Sequence, residues 1–318
     1  MFESLYAIER GRGNREIEIC GHSFISTKDS QLPESKASLK VIPRSLLKPW
    51  QFMPMVELQN EADWSMAVAS HSGHKFQVDA VENLKHKYSV DFEKLKLPTA
   101  YPMDTFETFT LKQAKIPTSK IYHPCCSKHM AMYIYSLRKN YDPLTYWQSY
   151  HPIQRQIYDV ICECAGEFPS ITVDSCGLPN VVMTLGGMLR MWKNLAAEDN
   201  FTAETIVQMF LKNPDLIGGP NRLDSEIMKA TYGQVIAKEG ADGLLIIQAL
   251  AKYDSEVPTA FVKIASGYNS DHLAIALYCE LTKASNIPQV FLPILDFLTQ
   301  KLTHLIHSDQ RLIFGDQL

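Results

Sequence analysis

The chain has 318 residues, a formal net charge of -4, and 46% apolar against 21% charged residues. That is enough for one large domain or two lobes around shared cores. Lys and Arg are scattered, which argues against a nucleic-acid partner, and no run approaches the ~18 apolar residues of a membrane span. The start, Met1-Phe2-Glu3-Ser4, lacks the basic and apolar stretches of a secretory signal. Seven cysteines, Cys20, Cys125, Cys126, Cys162, Cys164, Cys176 and Cys279, are an odd count. Together these predict a reduced, cytoplasmic protein.

In chain order, Leu5-Tyr6-Ala7-Ile8 and Glu16-Ile17-Glu18-Ile19-Cys20 flank Gly11-Arg12-Gly13-Asn14 and predict a hairpin. Residues 28–38 are polar and read as loop. Residues 45–58 read as helix, with Pro49 suited to a first turn. Met66-Ala67-Val68-Ala69 reads as a short buried strand before a helix over 76–88. Residues 89–122 carry Pro98, Pro102 and Pro117 and read as an irregular crossing. Apolar stripes predict helices over 128–140 and 152–166. A strand over 170–174 precedes helices over 181–195, 202–212 and 224–231. Strands over 233–238 and 243–249 flank the turn Gly240-Ala241-Asp242, and a third covers 259–266. Helices over 270–283 and 290–303 follow. The pattern is α+β: an antiparallel sheet built from both chain ends, with flanking helices and a helical middle, folding as one interdependent unit over 1–318.

Four segments carry residues suited to chemistry. In Pro43-Arg44-Ser45-Leu46-Leu47-Lys48-Pro49 the serine and lysine lie one turn apart. A serine hydroxyl is a weak nucleophile until a base takes its proton, and a neutral lysine can be that base. The same spacing recurs at Ser72/Lys75 and Ser136/Lys139, so spacing alone selects nothing. Ser70-His71-Ser72-Gly73 places hydroxyls and free backbone N–H groups at an edge, or else caps the next helix through Ser72. Cys125-Cys126-Ser127-Lys128-His129 and Asp174-Ser175-Cys176-Gly177 hold zinc-ligand chemistry, although cysteines at such positions also serve as small core residues. Finally, Ala237-Lys238-Glu239-Gly240-Ala241-Asp242-Gly243 sets a lysine at a strand end.

Taken in order, these segments resemble the bacterial L-asparaginase II family, whose fold is related to the serine β-lactamases and glutaminases. Arg44 to Gln51 resembles R-S-x-x-K-P-[FW]-Q, and Ala69 to Gly73 resembles A-S-H-S-G. Cys125 to His129 resembles C-S-G-K-H, Asp174 to Pro179 resembles D-G-C-G-x-P, and Ala237 to Gly243 resembles A-K-x-G-A-[ED]-G. Weaker matches are His151-Pro152-Ile153-Gln154, and Arg222 with residues 224–228. The resemblance implies two serine–lysine pairs, Ser45 with Lys48 and Ser70 with Lys238, acting on a small amide such as L-asparagine. Which serine attacks is left open, with a lean to Ser45. It implies that Arg44, His71, His129, Asp174 and Gly240 bind substrate. Cys125, Lys128 and Cys176 match positions at which the family can hold a metal, zinc being the expected ion. No organic cofactor is expected, and a homodimer is.

Departures from the family pattern fall at the expected pocket wall. His74-Lys75 replaces Glu-Pro, His123-Pro124 replaces two asparagines, and Cys126-Ser127 replaces Ser-Gly. They leave two rivals standing: a hydrolase of the same fold acting on another amide or a lactam, and a catalytically weak amino-acid sensor.

Overall fold

The computed structural model describes residues 4–10, 16–27, 34–197, 199–264, 267, 270–284, 286–307 and 310–314. Strands β1 (Ser4–Arg10) and β2 (Glu16–Thr27) pair antiparallel from Ser4 opposite His22 to Arg10 opposite Glu16. The expected hairpin is therefore present, while its turn over 11–14 lies outside the described residues. The chain then divides into two units. One is Pro33–Asn221; the other joins Met1–Leu32 to Arg222–Leu318.

The middle unit is mostly helical. A single turn, α1 (Glu34–Ala37), stands where loop is expected, and β3 (Lys40–Val41) follows. The helix expected over 45–58 is a composite: a 3-10 turn over Arg44–Leu47, α2 (Lys48–Phe52), and a second 3-10 stretch over Met53–Asn60. Pro49 sits in the first turn of α2, where its missing N–H costs nothing. Trp50 anchors this helix, stacking edge-on against Trp192 at 5.3 Å.

Residues expected as a strand, 66–69, instead form the helical turn α3 (Ser65–Val68); the extended conformation begins at Ala69. Helix α4 (Lys75–Lys87) begins one residue earlier than expected. The crossing over 89–122 contains α5 (Thr105–Gln113), whose start is capped by Asp104 accepting from Glu107 N. Helices α6 (Cys126–Arg138) and α7 (Pro152–Ala165) follow as the stripes predict. On α7, Ile153, Ile157 and Ile161 are buried; each is worth about 1.5–3 kcal/mol of burial.

Strands β4 (Ser170–Val173) and β5 (Pro179–Thr184) form a hairpin, and β3 completes a sheet in the order β3-β5-β4. The helix expected from 181 thus starts only at 185: Val181, Val182 and Met183 belong to β5, and α8 (Leu185–Ala197) follows. Two more helices, α9 (Phe201–Leu211) and α10 (Pro214–Ile217), end the unit.

The other unit continues with α11 (Leu223–Ala230), β6 (Val235–Gly240), β7 (Leu244–Ala249) and β8 (Thr259–Ile264). Helices α12 (Ser270–Lys283) and α13 (Leu292–His307) and strand β9 (Gln310–Phe314) complete it. Its sheet runs β6-β7-β8-β2-β1-β9, every neighbour antiparallel. Both chain ends therefore supply one sheet, as the alternation predicts; β9 was not foreseen. All residues of β6 and β7 are buried. Mixed α+β architecture follows. Among the described residues no helix is long and apolar enough to cross a membrane.

Candidate active site

Lys48 opens α2 and is 1% exposed. Its Nζ donates to the carbonyls of Ala69 and Pro124, the latter at 3.0 Å, and lies 3.0 Å from Ser70 Oγ. Two of these partners are carbonyls, which only accept. The third is a hydroxyl, which accepts or donates. A neutral amine has two hydrogens for the carbonyls and a lone pair for the Ser70 O–H. An ammonium has a third hydrogen for Ser70 Oγ. The arrangement serves both protonation states of one lysine.

Ser45 is half-buried, and its hydroxyl makes no hydrogen bond among the described residues. Lys48 N donates to Ser45 O, so the two stand one helical turn apart. The other Ser-x-x-Lys matches go elsewhere. Lys75 is exposed on Asp79 at 2.7 Å, and Lys139 pairs with Glu57 at 3.2 Å.

The segment after α3 is held extended by the end of α10: Ser70 N donates to Ile217 O, and Ser72 N to Gly218 O, both at 2.9 Å. Ser72 Oγ donates to Gly218 O at 2.8 Å, so it does not cap α4; Gln77 accepts there from Gly73 N and His74 N. Gly73 has φ +85°, and a Cβ would stand 2.8 Å from Pro102 Cβ, which restricts the position to glycine. The basic substitutions that follow are accommodated. His74 lies 3.8 Å from both Asp104 and Glu107, and Lys75 faces solvent.

His71 is fully buried. Its Nε2 donates to His123 O at 3.0 Å and stands 3.3 Å from Cys126 Sγ. Burial, then repulsion from Lys48, hold its pKa down to about 3, so the ring is neutral at working pH. Cys126 is a core residue whose thiol burial pushes up to about 12. Ser127, where the family has glycine, lies inside α6, so the backbone there needs no glycine.

Arg44 has φ +53°, a left-handed conformation costly for a non-glycine residue and common at functional positions. Its Nε lies 2.9 Å from Asp174 Oδ1, and its Nη2 donates to Ser175 Oγ at 3.2 Å. Asn180 Nδ2 donates to Asp174 Oδ2 at 3.1 Å and to Arg44 O at 3.4 Å, tying the two together. Asp174 follows β4 directly, and Gly177, at φ +87°, turns the hairpin with its N–H on Asp174 O, so Cys176 is folded inward at 2% exposure.

The neighbouring thiol of Cys176, helped by Lys48 and Lys128 against burial, holds Cys125 well below the ordinary thiol range, and Cys176 is pushed up. Lys128 is 1% exposed and donates to Gln51 Oε1 at 2.8 Å. Burial pushes its pKa down, but Cys176, Cys125 and Asp174 outweigh it and the net shift is upward. Two neighbouring sulfurs, one of them with its pKa lowered, suit a soft divalent cation. Lys128 becomes a third donor only by losing its proton and its bond to Gln51. Among the described residues no three His, Cys, Asp or Glu side chains converge on a metal position.

In the other unit Lys238 and Glu239 stand on β6, opposite Arg222 and Asp224 at the start of α11. Lys238 Nζ lies 3.2 Å from Asp224 Oδ2 and donates to Glu239 O at 2.8 Å; Arg222 Nη2 lies 3.2 Å from Glu239 Oε2. Burial lowers the pKa of Lys238, and Asp224 only partly offsets this. Gly240 ends β6, opposite Leu244.

The middle unit thus brings together Lys48, Ser70, His71, Cys125, Lys128 and Cys176, with the Arg44–Asp174 pair on the same motif segments. Sequence reasoning gave no role to Gln51, Asn180 or the Pro124 carbonyl. Gln51 stood inside a quoted motif; the other two reveal themselves only through contact. A lysine poised on a serine hydroxyl, beside an Arg–Asp pair that suits a zwitterion, is equipment for hydrolysing a small amino-acid amide. A model of the L-asparaginase II family matches residues 22–290, and the chain belongs to that family, an amidohydrolase family of asparaginase type. Direct comparison with curated proteins finds no match.

Proposed function

We propose that this enzyme hydrolyses L-asparagine to L-aspartate and ammonia through a serine acyl-enzyme, with Lys48 as the base. The observation that carries the reading is Lys48 Nζ at 3.0 Å from Ser70 Oγ, with the carbonyls of Ala69 and Pro124 also accepting from it. Ser45, half-buried and with an uncommitted hydroxyl, attacks the side-chain amide carbon as neutral Lys48 takes its proton. The resulting ammonium donates to Ser70 Oγ while Ser70 gives its own hydrogen to the leaving nitrogen. The C–N bond breaks, ammonia leaves, and an ester to Ser45 remains. Water then attacks that ester, its proton passing to Lys48 and from there to Ser45 Oγ as the ester bond breaks, which restores Ser45 and the neutral amine.

Arg44 takes the substrate α-carboxylate and Asp174 its ammonium, exchanging their mutual contact for the zwitterion. His71, neutral and buried, is read as a further substrate-binding position. The order of these motifs and the antiparallel sheet from both chain ends support a fold of serine β-lactamase and glutaminase type. Zinc held by Cys125, Cys176 and a deprotonated Lys128 would supply fixed positive charge at the pocket wall.

A second reading has Ser70 itself attack, because its hydroxyl is the one in direct contact with the amine. Rapid quenching during turnover, followed by peptide mass spectrometry, decides between them. The acyl group is expected on the peptide containing Ser45. An acyl group on Ser70 selects the second reading, and no acylated serine under conditions of steady ammonia release contradicts both.

A further inference from the structure

Tyr146 sits in the loop between α6 and α7 and is completely buried. Two hydrogen bonds meet at its hydroxyl. Lys96 N–H donates to it at 2.9 Å, and His129 Nδ1 lies 2.7 Å away. A phenol has one hydrogen to give. With the backbone amide already donating into the oxygen, that hydrogen goes to His129 Nδ1, which therefore accepts. A neutral imidazole carries its proton on the other nitrogen, so His129 is an Nε2–H donor. The opposite tautomer would leave the phenol hydrogen without an acceptor.

His129 Nε2 is buried and has no partner among the described residues. Buried N–H groups are rarely left open. This one belongs to a ring that feels the charges of Lys128, Cys125 and Lys48, the groups of the candidate active site. An open donor in that setting is a place for a ligand acceptor. It suits an oxygen anion and not an ammonium.

We propose that Tyr146 is a positioning residue that locks His129, a substrate-binding position by family resemblance, in the Nε2–H tautomer, so that this N–H faces the α-carboxylate of the amide substrate. The second half rests on the amidohydrolase reading above. The sequence supplies the supports. His151 accepts from Ile153 N through Nδ1 and donates to Asp142 O through Nε2, while Gln154 Nε2 donates to Tyr146 O at 2.8 Å. The His151-Pro152-Ile153-Gln154 segment is thus the brace of the loop that carries Tyr146.

Long-range nitrogen–proton correlation spectra of histidine-labelled protein report the tautomer directly, and Tyr146→Phe keeps the ring while removing the hydroxyl. The expected results are an Nε2–H ring at His129 in the wild type and a mixture in Tyr146→Phe. KM for L-asparagine should rise about tenfold while kcat changes much less, since the lost contact is to a non-reacting group. His129→Gln, whose amide nitrogen falls near the Nε2 position, should retain more binding than His129→Asn, whose amide falls near Nδ1. An Nδ1–H ring in the wild type, or unchanged KM in Tyr146→Phe, overturns the proposal even if the enzyme is an active asparaginase. Should the wild type release no ammonia from L-asparagine, the amidohydrolase reading is what fails. The nitrogen spectra then decide the tautomer by themselves, Nε2–H upholding the Tyr146 lock and Nδ1–H ending it.

Discussion

Gln51 bridges Lys128 to the β4–β5 hairpin: its Oε1 accepts from Lys128 Nζ at 2.8 Å, and its Nε2 donates to Pro179 O at 3.2 Å. One amide thereby neutralises the hydrogen-bonding demand of a buried ammonium and fixes the hairpin that carries Cys176. Replacing Gln51 by Leu keeps the volume and leaves Lys128 short of an acceptor. The cost is expected at about 1–3 kcal/mol, read by denaturant titration. A change within experimental error would mean that the bridge contributes nothing.

Acid stability should depend on His71. Its folded pKa, about 3, lies below the ordinary 6.5 because burial disfavours the cation and Lys48 repels it. Between these values the unfolded chain binds the proton and the folded chain does not, so stability rises with pH across that window. The contribution is fully present above about 6.5 and is lost as pH falls toward 3. A displacement of that size is worth on the order of 4–5 kcal/mol. His71→Gln should flatten the stability profile over that range. An equally steep profile in the variant would assign the acid sensitivity elsewhere.

The zinc reading has a direct check. Protein purified without added metal or chelator should carry about one zinc per chain by elemental analysis, as a thiolate site retains its ion. Cys125→Ser and Cys176→Ser should each lose it. Wild-type protein without zinc, and with a melting temperature indifferent to added zinc, would leave Cys125 and Cys176 as a neighbouring thiol pair.

In the unit built from both chain ends, Asp224 is the fully buried counter-charge of Lys238. Burial raises the carboxyl, but Lys238 and Arg222 overcome this and hold it below its usual range. Asp224→Ala strands a buried amine and is expected to cost about 3–5 kcal/mol. Asp224→Asn, which keeps the shape, should cost less. Equal stability of all three proteins would show that Lys238 is satisfied without the carboxylate.

How much of this was legible beforehand depended on the length of each signal. Helices with a repeated apolar stripe, such as α7 and α12, and the strand after Gly240-Ala241-Asp242 appear where their periodicity places them, while the strand before it runs two residues further and takes in Gly240. Short apolar runs do not decide their own conformation: Met66 to Ala69 reads as strand but its first three residues coil into α3, and Val181 to Met183 reads as helix but belongs to β5. Helix α5 buries none of its residues, so it offers no stripe; its signal was the cap Asp104 with Glu107. For the candidate site, motif order singled out Ser45, Lys48, Ser70, Cys125 and Cys176. It did not show that Lys48 rests on Ser70, because the amine is held there by the backbone carbonyls of Ala69 and Pro124, which no side-chain pattern encodes.

The most direct test of the central claim is ammonia release from L-asparagine by the wild type beside Lys48→Met and Ser70→Ala. Both changes remove proton handling while leaving Trp50 and Gln51 to hold α2 in place. Turnover is expected to fall at least about a hundredfold in each variant, with melting behaviour close to wild type. Wild-type rates in a folded Lys48→Met protein would contradict the account.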